Sequence, residues 1–299
     1  MNRKFLYIIN PISGAKNKSL LQQLIKTRTE AAGFYFEIHT SVDGGDYRFL
    51  EPAIIEKQIT DVVIAGGDGT INQVIDAFRK FKVQFGIIPC GSGNGLALSA
   101  GLSKNPDKAL DVIFKGNVQP TDAFLINNHF ACMLCGLGFD AQVAHDFAND
   151  PNRGLITYIK KTVANFFTAS AYPFVIETHG RHLRTEAFFI SIANSNQFGN
   201  NFKIAPQARL TDGLLDIVIV TQQSKISVLL NTLKQVSGFN HLQTIDVLNE
   251  KSALLYFQTD NIKIENPQMA PLHIDGDPAV SAAVIDVHLL PDCFGLIYP

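Results

Sequence analysis

The spacing of hydrophobic residues changes abruptly near residue 66. Residues 61–65 (DVVIA) form a short continuous run rich in Val and Ile, which predicts a strand buried on both faces. From residue 70 to about residue 81 the apolar residues recur every three or four positions, as in an amphipathic helix: Ile71, Val74, Ile75 and Phe78. We expect the Thr70 hydroxyl to cap this helix. The segment is therefore predicted to be a strand, a glycine-rich turn and a helix.

The same alternation of strand and helix patterns fills the first 120 residues. Strands are predicted at residues 4–10, 35–40 and 85–89, with helices at about 20–32 and 47–57 and a short helix after residue 95. This order predicts a doubly wound α/β domain with its ligand crevice at the carboxyl ends of parallel strands.

After Asp122 the pattern becomes mostly β. Hairpins are predicted around Asn127-Asn128 and His179-Gly180. Further strands are predicted at residues 214–220, 253–258, 262–264 and 283–290, and helical patterns at 155–169 and 225–236. We therefore expect a first domain of residues 1–122 and a second, mainly antiparallel β domain of residues 123–291.

Composition excludes several classes of function. The 299 residues carry a formal net charge of −2 and no block of basic residues, so nucleic acid is not an expected partner. No apolar run is long enough for a membrane-spanning helix or a signal peptide, which predicts a soluble, cytoplasmic protein. The C-x-x-C of Cys132 and Cys135 has no second pair to complete a zinc site, so we interpret both as buried core thiols.

Three of the first four predicted strands end in turns suited to phosphate. These turns are NPISG (residues 10–14), GGDGTIN (66–72) and PCGSGNG (89–95). Glycines let a ligand approach the backbone closely, and free N–H groups at a helix start favour an anion. None is a G-x-x-x-x-G-K-[ST] or a G-x-G-x-x-G loop. One such turn is readily explained as a tight connection alone, whereas three together predict a nucleotide or another phosphate ligand.

These motifs resemble those of a known family. The order N-P-x-S-G, G-G-D-G-T-x-N and P-x-G-S-G-N-x-L-A is similar to the catalytic domain of diacylglycerol, sphingosine and ceramide kinases. In the second half, GLGFDAQV (residues 136–143), IAPQARLTDGLLDIVIV (204–220) and HIDGDP (273–278) resemble further family motifs in the same order. The resemblance implies an α/β ATP-binding domain and a β-sandwich domain, with residues 292–299 returning to the first domain. It also implies ATP-dependent phosphoryl transfer to a lipid hydroxyl.

The resemblance also assigns roles to individual residues. A structural Mg²⁺ would use the Asp212 carboxylate with the carbonyls of Arg209 and Leu214, oxygen donors that suit a hard cation. On the sequence alone, Asp212-Gly213 is more often just a turn before a strand. The residues expected to contact ATP are Asn10, Pro11, Ser13, Gly14, Thr40, Gly66, Gly67, Asp68, Gly69, Thr70, Asn72, Gly91, Ser92, Gly93 and Asn94.

A carboxylate near the acceptor hydroxyl is needed to take its proton. The candidates are Asp68, on the glycine turn, and Asp277, in the place of the Glu of the family's D-G-E motif. The Asp277 side chain is one methylene shorter than that Glu, so its carboxylate extends less far from the backbone. Residues 275–277 are alternatively a bare hairpin turn, because Asp-Gly is a strong turn signal.

The sequence does not distinguish between diacylglycerol and a sphingoid or other long-chain alcohol as the lipid acceptor. Bacterial diacylglycerol kinases tend to have P-x-G-T-x-N-D-F-A, and Gly95 replaces the Asp of that motif here. A lipid acceptor requires transient peripheral contact with a membrane, and a homodimer is left open. Two alternatives remain: a nucleotide- or lipid-binding homologue without turnover, and an enzyme like NAD kinase, although the further motifs of that family are absent from the sequence.

Overall fold

The structure is a computed structural model that describes residues 3–14, 18–148, 169–197, 203–222, 237–249 and 252–299, together with residues 227, 231, 234 and 235. Contacts within the chain divide it into two compact units. The first comprises Met1–Thr121 and Asp292–Pro299, and the second comprises Asp122–Pro291.

The first unit is an α/β layered domain, as the sequence predicts. Its elements are β1 (Lys4–Ile9), α1 (Lys18–Ala31), β2 (Tyr35–Thr40), α2 (Glu51–Glu56), β3 (Asp61–Gly66), α3 (Asp68–Phe78), β4 (Gln84–Pro89), α4 (Gly95–Ser99) and α5 (Pro106–Lys115). Short 3₁₀ helices precede α2 at Asp43–Gly45 and Arg48–Leu50. The strands are parallel and lie in the order β2-β1-β3-β4.

Burial explains why these segments become strands and helices. All six residues of β3 are buried, as expected for a central parallel strand covered on both faces. Helix α3 buries Ile71, Val74, Ile75 and Phe78, the apolar stripe seen in the sequence. The core on one side of the sheet contains residues of β1, β3, α1 and α5. The helices therefore pack on the sheet as a second layer and fix the edge where the strands end.

The second unit is built from antiparallel strands. Its elements are β5 (Asn117–Ile126), β6 (His129–Ala131), β7 (Leu134–Gly138), α6 (Phe139–Ala148), β8 (Tyr172–Thr178), β9 (Arg181–Ala193), β10 (Leu215–Thr221), β11 (Leu254–Thr259), β12 (Asn261–Glu265), β13 (Leu272–Ile274), β14 (Asp277–Ala279) and β15 (Val284–Tyr298). Strands β5 and β15 contain residues of both units. The fold class expected from the sequence, α/β followed by antiparallel β, is confirmed.

Both predicted hairpins are present. Asn127 and Asn128 have φ of 45° and 69°, and His179 and Gly180 have φ of 47° and 73°, as two-residue turns between antiparallel strands require. Cys132 and Cys135 are fully buried thiols that are not joined in a disulfide, in agreement with the sequence interpretation. The helical patterns at 155–169 and 225–236 lie almost entirely outside the described residues. None of the described helices is long and apolar enough to cross a membrane.

Candidate active site

The carboxyl ends of the parallel strands bring the predicted phosphate loops to one edge of the first sheet. The chain passes from β1 outward to β2 and then returns to the other side of β1 as β3. The order of the strands therefore reverses between β1 and β3, and such a switch point is where open α/β sheets bind ligands. The loops after β1 and β3 flank this point, the loop after β4 lies next to them, and Thr40 ends β2 at the same edge.

Direct hydrogen bonds join the loops after β1 and β3. The Asn10 backbone N–H donates to the Ala65 carbonyl at 2.9 Å, and the Asn10 side-chain Nδ2 donates to Thr70 Oγ1 at 2.7 Å. Asn10 Oδ1 also accepts the Ile12 N–H at 2.9 Å, so this side chain fixes the shape of its own loop. Asn10 thus holds two phosphate loops together.

The expectation that Thr70 caps the helix is wrong. Helix α3 begins two residues earlier, at Asp68, with Gly67 as the N-cap and no side-chain capping bond. The Thr70 hydroxyl lies inside the first turn, where it accepts the hydrogen bond from Asn10 instead. The earlier start brings the N-terminus of an 11-residue helix directly to the glycine turn, a position where helix N-termini favour an anion.

Glycine contacts show how closely the three loops approach one another. A Cβ added to Gly14 would lie 2.1 Å from the Cys90 carbonyl oxygen, and one added to Gly91 would lie 2.6 Å from Gly67 Cα. Such distances are below any normal contact, so only glycine permits this approach. The prediction that the loops after the first, third and fourth strands converge is confirmed.

Asn94 supports the third loop from within. Its side chain is 2% exposed, its Oδ1 accepts the Gly91 N–H at 2.7 Å, and its Nδ2 donates to the Gly91 carbonyl at 2.7 Å. Asn94 has a left-handed φ of 57°, which asparagine tolerates better than most residues. The amide is therefore engaged by its own loop, which leaves the exposed Ser92 as the polar side chain presented to solvent.

A lysine beside the first loop was not found by sequence reasoning. Lys18, the first residue of α1, donates from Nζ to Ser13 Oγ at 3.0 Å. The only signal in the sequence is its place at the start of the helix that follows the loop. It adds a positive charge beside the backbone N–H groups, hydroxyls and Asp68 carboxylate that the described residues bring to this edge.

In the second unit, two carboxylates meet at the candidate metal position. Asp122 Oδ2 accepts the Gly213 N–H at 2.8 Å, and Asp212 Oδ1 accepts the Leu214 N–H at 3.2 Å. Burial raises the pKa of Asp212, and the nearby negative charge of Asp122 adds to the rise. A hard cation would relieve this repulsion, so the donors fit Mg²⁺ in type. No cluster of three or more acidic, His or Cys side chains suited to a metal occurs in the described part of the chain, and the site stays a prediction.

Asp275 and Asp277 have different environments although they are two residues apart. Asp275 and Gly276 form the turn of the β13–β14 hairpin with φ of 49° and 87°. The buried Asp275 carboxylate accepts three backbone N–H groups, from Cys132, Met133 and Leu134, at 2.9 to 3.0 Å. Asp277 is exposed and begins β14. The turn interpretation therefore holds for Asp275-Gly276, and catalysis by Asp277 or Asp68 stays a prediction.

Asp216, a buried carboxylate not identified from the sequence, gives a pH-dependent prediction. It is fully buried, it accepts from Tyr256 Oη at 2.6 Å and from Gln258 Nε2 at 3.0 Å, and burial raises its pKa from 3.8 to about 6. Because the folded state holds this proton more tightly than the unfolded chain, the associated stability is full below pH 3.8 and lost as pH rises through about 6. Relative to Asp216→Asn, the wild type should lose about 2 kcal/mol of unfolding free energy between pH 4 and pH 7.

Urea unfolding of both proteins across this pH range, with EDTA present, tests the prediction. Tyr256→Phe is the companion variant. It should shift the transition to higher pH, because the hydrogen bond from Tyr256 favours the charged carboxylate. A difference between wild type and Asp216→Asn that does not change with pH would contradict the assignment.

Comparison with known proteins places the chain in a class. Residues 4–126 match the family model described as the diacylglycerol kinase catalytic domain. Residues 134–298 match the model described as the YegS C-terminal NAD kinase beta sandwich-like domain. Together the two models cover both units and define a two-domain kinase. The chain belongs to the family of YegS and diacylglycerol kinases, which are lipid kinases.

Named relatives agree with this membership at low identity. A protein of Shewanella frigidimarina named "Probable lipid kinase YegS-like" is 26% identical over 88% of this chain and 84% of its own length. A protein of Bacillus subtilis named "Diacylglycerol kinase" is 24% identical over 90% of this chain and 88% of its own length. A solved structure of a diacylglycerol kinase from Bacillus anthracis superposes with a TM-score of 0.74 at 19% identity, covering 100% of this chain and 97% of the other. That likeness shows the fold.

Proposed function

We propose that the protein transfers the γ-phosphoryl group of ATP to a lipid hydroxyl, with diacylglycerol and long-chain sphingoid bases as candidate acceptors. The observation that carries the proposal is the convergence of three glycine loops across the switch point of the first sheet. Phosphoryl transfer depends mainly on holding the phosphates, neutralising their charge and orienting the alcohol, and these loops supply the first requirement.

The phosphates of ATP would lie against the convergent loops. Backbone N–H groups of Gly66–Asp68 and of the start of α3 would face the β- and γ-phosphates, and Lys18 would add a charge from the first loop. Ser13, Thr40 and Ser92 are hydroxyls at the same edge and would hydrogen-bond to the nucleotide. Asn10, Thr70 and Asn94 would act by holding the loops in this arrangement, as their hydrogen bonds within and between the loops support.

Asp277 would accept the proton of the lipid hydroxyl, and Asp68 is the alternative base. Mg²⁺ bound at Asp212 with the carbonyls of Arg209 and Leu214 would neutralise the negative charges of Asp122 and Asp212, which repel each other in the second unit. Asp277 is an exposed carboxylate at the end of an anchored turn, which favours it as the base.

The acceptor lipid resides in a bilayer, so the protein would contact membranes peripherally and transiently. A phosphotransfer assay tests the whole proposal. Purified protein is incubated with ATP labelled at the γ-phosphate and Mg²⁺ and with vesicles containing diacylglycerol, sphingosine or ceramide, and lipid products are separated by thin-layer chromatography. We expect label in one of these lipids. NAD is included as an acceptor, since label in NAD would favour an enzyme like NAD kinase.

ATP binding without transfer to any acceptor would instead indicate a homologue that binds nucleotide without turnover. Isothermal calorimetry with a non-hydrolysable ATP analogue separates that result from a failure to bind nucleotide at all. The Asp at position 277, where the family motif has Glu, makes this control necessary.

A further inference from the structure

A buried histidine stands next to the turn that presents Asp277. His273 lies in β13, is fully buried, and faces Gly136 of β7 across the strand pair. Its Nε2 is 3.5 Å from Oδ2 of Asp140, whose side chain is 9% exposed and which lies in the first turn of α6. Burial raises the pKa of the Asp140 carboxyl, and the interaction with His273 opposes that rise. Two buried polar groups thus face each other between β13 and α6.

Gly136 makes the space for this pair. A Cβ at this position would lie 2.0 Å from Asp140 Oδ2 and 2.7 Å from His273 Nε2. The glycine is therefore required by the pair and not by backbone strain, since it has no left-handed φ. The absence of a side chain at Gly136 leaves room for both the Asp140 carboxylate and the His273 imidazole.

The other ring nitrogen of His273 reaches the hairpin turn. The Gly276 N–H donates to His273 Nδ1 at 3.3 Å. A ring nitrogen that accepts a hydrogen bond carries no proton, so in the neutral ring the proton is on Nε2, facing Asp140. The imidazole thereby connects α6 to the Asp275–Gly276 peptide group in the turn that precedes Asp277.

The turn is held from a second side by Asp275. Its carboxylate is bonded to the N–H groups of residues 132–134, between β6 and β7. Gly276 itself is exposed and has a left-handed φ of 87°, so these bonds add to the pairing of Ile274 with Asp277 in holding its peptide. A displacement of about 1 Å at a reacting group is enough to cost about 100-fold in rate.

We propose that Asp140 and His273 are positioning residues that fix the Gly276 peptide and so aim the Asp277 carboxylate at the acceptor hydroxyl. This inference rests on the proposed role of Asp277 as the base. Asp140 orients the ring and fixes its tautomer, and His273 holds the turn.

Two substitutions at His273 separate its contact with Asp140 from its hydrogen bond with Gly276. Asparagine places an acceptor oxygen near the position of Nδ1 but lacks a donor that reaches Asp140, whereas glutamine reaches Asp140 with its amide nitrogen and leaves Gly276 without an acceptor. We expect His273→Gln to lower kcat by about 10- to 100-fold with an unchanged KM for ATP. His273→Asn should retain most of the kcat of the wild type.

Amide hydrogen exchange of Gly276 gives a readout that does not require activity. In protein labelled with ¹⁵N-glycine, which contains 22 glycines, the Gly276 amide should exchange roughly fivefold to tenfold faster in His273→Gln and Asp140→Ala than in the wild type. His273→Asn should leave the exchange close to that of the wild type. Ile262→Val, a core variant in the same unit, controls for a general loss of stability and should change neither kcat nor Gly276 exchange selectively.

Two results would overturn the inference. One is a loss of kcat that is equal in His273→Gln and His273→Asn and follows the melting temperature. The other is unchanged Gly276 exchange in His273→Gln. If the wild type phosphorylates none of the lipids, the proposed function fails, and the exchange measurement alone then decides whether His273 holds the turn.

Discussion

Asp277→Asn should lower kcat for lipid phosphorylation by about 10²- to 10⁴-fold, the range typical for loss of a general base. The amide keeps the size of the side chain but cannot take the hydroxyl proton. Because Asp277 is exposed, the substitution should leave the melting temperature and the affinity for ATP nearly unchanged. Initial rates at saturating ATP, with calorimetric titration of an ATP analogue, measure both quantities.

Asp277→Glu is the matched control. It restores the carboxylate present in the D-G-E motif of the family and should keep activity at or above that of the wild type. If Asp277→Asn retains full kcat while Asp68→Asn loses it, the base is Asp68 and the assignment of Asp277 is wrong.

Gly91→Ala should lower kcat/KM for ATP by about 100-fold. The added methyl would lie 2.6 Å from Gly67 Cα, so the loops after β3 and β4 must separate by roughly 1 Å to reach ordinary contact. That separation misplaces the N–H groups on both sides of the phosphates. Steady-state kinetics with varied ATP, together with nucleotide titration of the purified variant, give the effect.

Gly33→Ala tests whether this effect is specific. Gly33 has a left-handed φ of 73° with open space around it, and it precedes β2 at the opposite edge of the sheet. Alanine there should cost about 1 kcal/mol of unfolding free energy without changing kcat/KM for ATP. Equal kinetic losses in Gly33→Ala and Gly91→Ala would mean that general destabilisation, and not the loop contact, explains the result.

The sequence predicts the glycine loops at the edge of the first sheet well because its signals are local. The run of buried residues in β3, the helical period after it and the glycines between them fix a strand-turn-helix unit, and several such units imply a parallel sheet whose loops share one edge. The hairpins at Asn127-Asn128 and His179-Gly180 follow in the same way, because the residues that tolerate positive φ stand between two strand patterns.

The features that the sequence did not predict depend mainly on contacts between residues that are far apart in the chain. The Thr70 hydroxyl is bonded by Asn10, 60 residues earlier, and no local pattern shows that this contact replaces a helix cap. Asp140 and His273 are 133 positions apart and meet only because β7 and β13 pair in a register that puts His273 opposite Gly136. Lys18 lies close enough to the first loop in sequence, but an isolated lysine at a helix start is too common to indicate a phosphate contact.

The C-terminal strand β15 determines how the protein behaves when it is divided into fragments. Gly295 and Leu296 of β15 pair with Gln84 and Phe85 of β4, and Phe294 packs edge-on against Phe85 with ring centroids 5.8 Å apart. A fragment ending at residue 121 would lack these residues. The edge of β4 that pairs with β15 would then be open to solvent, and Phe85 would lose the ring that covers it. Open strand edges of this kind recruit other chains. The fragment should therefore self-associate when expressed alone, and a peptide spanning residues 292–299 should pair with β4 and keep it soluble.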